Sequence, residues 1–116
     1  MISDRELAYE KCFRPVAHYY CPSEAPGLRK GTEKLVAMII AWEADESGVL
    51  LEWDTERLAD LCRLSPRTFR RYVSVLFDTG WLIDQTAEAG TRICIDPQWL
   101  QSLPPVPSNP YNSPRR

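Results

Sequence analysis

The chain has 116 residues, with 14 Lys and Arg against 16 Asp and Glu, a formal net charge of −2, four Cys, ten Pro and one His. That length suits one compact domain, and 44% hydrophobic with 26% charged residues supplies a core and excludes a wholly disordered chain. The longest apolar run, residues 35–42, is far short of the roughly 18–20 residues of a membrane span, and the opening MISDRELAYEK shows no leader pattern, so a cytoplasmic protein without a membrane partner is expected.

Ser3 followed by Glu6 is a capping-box signature, which predicts a helix from Asp4 to about Phe13, limited by Pro15. Residues 19–31 hold two Pro and two Gly and read as a loop. Thr32 is the expected cap of a helix over 33–45, whose Leu35, Val36, Met38, Ile39, Ile40 and Trp42 leave little polar face and predict burial. Ser47-Gly48 ends it, and residues 49–53 (VLLEW) read as a short strand.

Asp54 or Thr55 can cap a helix over 56–63 with Leu58, Ala59, Leu61 and Cys62 on one face. After residues 63–65, Ser65 as N-cap and Pro66 at the first helical position open a helix over 66–79, with Phe69, Val73, Leu76 and Phe77 as its core stripe. Gly80 is its stop signal. Residues 81–86 and 91–96 read as a hairpin around residues 87–90, and Asp96-Pro97 starts a short helix to Leu103 with Trp99 and Leu100. From Pro104 the run PPVPSNPYNSPRR should be extended or disordered. The expected organisation is an N-terminal helix and loop over 1–31, a domain over 32–103 and a Pro-rich tail over 104–116.

Charge is unevenly placed along these elements. Residues 1–62 carry a net −5, residues 73–116 a net −1, and residues 63–72 a net +4 from Arg63, Arg67, Arg70 and Arg71 without one acid. A concentrated basic spot on an acidic body can bind a polyanion in one orientation. Opposite the predicted core stripe lie Arg67, Arg70, Arg71 and Ser74, with Thr68 and Tyr72 on the flanks. Arginine suits both phosphate and guanine edges through charged, bidentate hydrogen bonds.

Two short helices joined by a tight turn form a helix-turn-helix pattern. The segment LADLCRLSPRTFRRYVSVLFDTGWL resembles the helix-turn-helix core of winged-helix DNA-binding proteins, through Leu58, Ala59, Leu64, Ser65, Thr68, Phe69, Arg71, Val73, Leu76, Gly80, Trp81 and Leu82. The resemblance covers residues 32–96 and implies an α+β, mainly α winged helix with an extra N-terminal helix. It also implies insertion of the 66–79 helix into the major groove of double-stranded DNA. Arg67, Thr68, Arg70 and Arg71 would read or anchor DNA, Ser65 and Ser74 would assist, and Arg63 would face the backbone. The predicted wing tip, residues 86–91, carries an acid and no base, with only Arg92 nearby, so little wing contact is expected.

The function expected is a small transcriptional regulator of the bacterial or phage kind, acting as a homodimer on half-sites about one DNA turn apart. The N-terminal helix and the helix with Trp99 are the candidate dimer surfaces. The alternatives are the DNA-binding module of a phage or plasmid replication initiator, and an adaptor whose arginines meet an acidic protein. With one His, no phosphate-binding Gly loop and no nucleophile motif, no enzyme and no cofactor are expected. Cys12, Cys21, Cys62 and Cys94 contain no CxxC pair; with His18 a zinc site is conceivable, but free thiols acting as small hydrophobes are the preferred reading. The acids Glu43, Asp45, Glu46, Glu52, Asp54 and Glu56 read as a solvated surface with Asp54 as a cap, over a divalent-cation site. The four Trp are expected in the core or against the sheet.

Overall fold

The computed structural model describes residues 3–107, which form an α+β fold, mainly helical, with one three-stranded antiparallel sheet. Ser3 opens α1 (Asp4–Ala8) with the expected capping box: the Glu6 N–H donates to Ser3 Oγ at 3.1 Å, and the Ser3 N–H donates to Glu6 Oε1 at 3.2 Å. The helix does not end near Phe13. It passes through a π turn, Tyr9–Phe13, and continues as α2 (Arg14–Tyr19). The Arg14 N–H donates to Tyr9 O, five residues back. The α ladder then restarts, so Pro15 falls in a first turn where its missing N–H costs nothing.

Helix α3 (Lys30–Glu43) starts earlier than expected: Arg29 is its cap residue, and Thr32 lies inside it. It also ends earlier, because Asp45 Oδ1 accepts from the N–H groups of Ser47 (2.8 Å) and Val49 (2.9 Å) and turns the chain into β1 (Val49–Leu50). That strand stops before Leu51, which is 62% exposed, and does not reach Trp53 as expected. Asp54 caps α4 (Thr55–Leu61), accepting from the Arg57 N–H at 3.1 Å. Residues 62–65 then lead to α5 (Pro66–Asp78), with Arg63 in the left-handed region at φ 59°. Gly80, at φ +83°, turns the chain out of α5 as expected.

Strands β2 (Leu82–Asp84) and β3 (Ile93–Ile95) form the predicted hairpin with fewer paired residues than expected. The sheet order is β1-β3-β2, with Val49 and Ile83 both opposite Cys94. Asp96 caps α6 (Pro97–Ser102) through the Gln98 N–H at 3.0 Å. Gly48 sits under α6 at φ +80°, and a Cβ there would stand 3.1 Å from Leu100 Cδ2 and 3.3 Å from Ile95 Cβ, so both conformation and space require glycine. Residues 103–107 have no regular structure, and the Tyr19 hydroxyl donates to Pro105 O at 3.0 Å. The remainder of the expected disordered tail, 108–116, lies outside the described residues.

One core joins all these elements. Cys12, Val16 and Tyr20 from the N-terminal helices meet Val36 and Ile40 of α3, Leu58 of α4, Phe69, Tyr72 and Leu76 of α5, and Leu82 and Ile95 of the sheet. Burying each large aliphatic or aromatic side chain contributes about 1.5–3 kcal/mol. Tyr72 is thus a core residue and not a flank of the exposed face, as the sequence suggested. Leu61, expected on one apolar face with Leu58, Ala59 and Cys62, is 43% exposed, and Trp42, expected in the core, is 40% exposed. Trp42 instead takes Tyr9 and Phe13 edge-on, with the Arg5 guanidinium 4.4 Å from its ring centre. No described helix is long and apolar enough to cross a membrane.

Candidate nucleic-acid interface

The site is built on α5. Ser65 Oγ accepts from the Thr68 N–H at 3.1 Å and donates to Thr68 Oγ1 at 3.0 Å, so these two hydroxyls fix the start of the helix. Phe69, Tyr72, Val73 and Leu76 face the core. Arg67, Arg70, Arg71 and Ser74 are exposed, and their spacing of three and four residues places them on one stripe. Arg63 is exposed in the preceding turn. Of the predicted contact residues, six therefore come together around α5: Arg63, Ser65, Arg67, Thr68, Arg70 and Arg71, with Ser74 one turn further on.

Among the described residues, three basic residues outside this stretch are held in ion pairs. Arg14 pairs with Glu10 at 2.9 Å, Lys30 with Glu24 at 2.9 Å, and Arg57 with Glu43. The side chains of Arg63, Arg67, Arg70 and Arg71 meet no carboxylate among the described residues. The arginines of α5 thus lack an ion-pair partner, a state shared among the described residues by Arg5, Lys11, Arg29, Lys34 and Arg92; what sets α5 apart is that three such groups lie on one helix face.

Arg92 does not join that stripe. It belongs to the hairpin stem, where its Nε donates to Gln85 Oε1 at 3.1 Å and its backbone N–H donates to Thr86 Oγ1 at 3.2 Å. The tip closes through the Ala87–Gly90 bridge around Glu88. The side-chain and backbone hydrogen bonds from Thr86 hold the Asp84 carboxyl below its ordinary range, so the hairpin carries two acids beside Arg92.

The loop of residues 20–29, which the sequence marked only as a connection, packs against α5. Its anchor is Glu33, 1% exposed, whose carboxylate accepts from the Tyr20 hydroxyl (2.6 Å), the Ser23 N–H (2.7 Å) and the Ser23 hydroxyl (3.0 Å). Burial, then the bond to Glu33, pushes the Tyr20 phenol well up from its ordinary value. At the far end of the loop the Arg29 N–H donates to Tyr72 Oη at 3.0 Å. Between them, Gly27 lies beside Arg71: a Cβ there would be 3.7 Å from Arg71 Nη2. An acid in the first turn of a helix normally signals favourable helix electrostatics, so nothing in the sequence singles out Glu33 as buried.

Elsewhere, three of the acids at the helix–strand–helix junction are engaged locally and Glu46, Glu52 and Glu56 are exposed. Asp45 and Asp54 accept backbone bonds, Glu43 holds Arg57, and the described residues contain no cluster of three or more His, Cys, Asp or Glu able to hold a metal. The four cysteines are free thiols, with Cys12, Cys62 and Cys94 buried and Cys21 exposed. Comparisons with protein-family models, curated proteins and solved structures give no match.

Proposed function

We propose that the chain is a winged-helix protein that binds double-stranded DNA in a sequence-specific manner, with α5 as the helix entering the major groove, and that it acts as a small transcriptional regulator without catalysis. The observation that carries this reading is the row of uncompensated guanidinium groups on the exposed face of α5. The strand before the helix pair and the hairpin after it, joined in one sheet, support the winged-helix assignment. Arg67, Arg70 and Arg71 supply bidentate donors for phosphate and guanine, with Ser74 as an additional hydroxyl. Ser65 and Thr68 hold the helix start, which faces the DNA with its positive dipole. The acidic hairpin contributes little, in keeping with Arg92's engagement by Gln85.

A dimer supplies the second half-site. Of the two candidate surfaces, α6 spends Trp99 on Trp81, ring centres 5.6 Å apart, whereas the N-terminal side leaves Tyr9 39% and Trp42 40% exposed. We therefore propose the Tyr9–Trp42 side as the dimer surface. The acidic hairpin favours one second reading, an adaptor whose α5 arginines meet an acidic protein surface. Selection from duplexes randomised over about two turns should enrich an inverted repeat with half-sites about 10 base pairs apart. A pool that stays random would contradict sequence-specific binding.

A further inference from the structure

We propose that the loop of residues 20–29 is a second DNA-anchoring arm, in which Arg29 takes a backbone phosphate beside the groove entered by α5 and Glu33 is its positioning residue. The inference rests on the DNA reading of α5 and adds a contact outside it. Three observations place the arm. The Arg29 N–H is bonded to Tyr72 Oη, which fixes the start of the Arg29 side chain against the middle of α5. Gly27 lies near the Arg71 head group, where an added Cβ would stand 3.7 Å from Nη2, so the loop passes beside one of the exposed arginines of α5. The Arg29 side chain is exposed and meets no carboxylate among the described residues, unlike its neighbour Lys30, which pairs with Glu24.

The cost of holding this loop argues that its position matters. Burying a carboxylate without a cation is expensive unless several donors satisfy it. Glu33 accepts three hydrogen bonds, two of them from Ser23 and one from Tyr20, and so ties both ends of the first half of the loop to α3. The loop also accepts the left-handed conformations of Glu24 (φ 62°) and Gly27 (φ 80°) to reach α5. A phosphate oxygen is the partner this placement fits, because Arg29 is exposed, meets no carboxylate among the described residues, and belongs to a loop tied to Tyr72 and passing beside Arg71 of α5.

The test is the salt dependence of binding to a duplex of unrelated sequence, between about 50 and 200 mM salt, for wild type, Arg29→Ala, Glu33→Gln, the double variant, and Arg57→Ala as a control for a lost charge elsewhere. Arg29→Ala should flatten the slope of log K against log salt by about 0.9, the value of one phosphate contact, whereas Arg57→Ala should leave it unchanged. Glu33→Gln, measured where it is fully folded, should weaken binding in the wild-type background and add nothing once Arg29 is removed. An unchanged slope in Arg29→Ala, with wild type binding normally, overturns the arm and leaves the α5 reading intact. Additive losses in the double variant overturn the positioning role of Glu33. Absence of binding by wild type itself overturns the α5 reading and the arm together.

Discussion

Glu33 illustrates how a single buried group can organise a segment that carries no regular structure. Its three donors come from the loop of residues 20–29, so the loop is held by hydrogen bonds that the sequence pattern does not announce. Burial keeps the thiols of Cys12 and Cys62 in the neutral form. Burial, chiefly, raises Cys12 from its ordinary value of 9.0 to about 12 and Cys62 to about 11. Because the folded values lie above the unfolded one, the stability these thiols contribute is fully present below about pH 9 and is lost as pH rises toward the folded values. The urea midpoint should therefore fall between pH 8 and pH 10, and by less in a Cys12→Ala/Cys62→Ala variant. An equal fall in both proteins would contradict this assignment.

Among the elements, α5 was the most legible in the sequence, and its start and stop are where Ser65, Pro66 and Gly80 put them. Local chemistry is strong there: a side-chain cap, a preset φ and a left-handed glycine all act within a few residues. Removing the cap by Ser65→Ala should cost about 1 kcal/mol, read as a lower urea midpoint with the same slope. An unchanged midpoint would mean that the bonds between Ser65 and Thr68 contribute nothing net. Pro15 reads in the sequence as a terminator, whereas the π turn at Tyr9–Phe13 lets the N-terminal helix pass it. The helical period sets Tyr72 on the flank of the exposed stripe, and its burial depends on a partner the period does not reveal, the Arg29 N–H of a loop 43 residues away in sequence. Trp42 is expected in the core because α3 shows little polar face, yet Tyr9 and Phe13 of the π turn and Arg5 of α1 pack on it and still leave it 40% exposed.

At the scale of the whole molecule the governing feature is asymmetry of charge. The chain is acidic overall, yet a net +4 is confined to residues 63–72, and the fold displays Arg67, Arg70 and Arg71 together on one helix face. The charge block is visible in the sequence; that Arg14, Lys30 and Arg57 pair with acids while the arginines of residues 63–72 meet no carboxylate among the described residues is visible only in three dimensions. The central claim is that α5 binds duplex DNA through those arginines. Fluorescence anisotropy of a labelled duplex of about two turns, titrated with wild type and with Arg67→Ala/Arg70→Ala from low to physiological salt, tests it most directly. The account predicts binding that weakens with salt and a slope smaller by about 1.8 in the double variant, two phosphate contacts' worth. No binding by wild type at low salt, or equal binding by the two proteins, would contradict it.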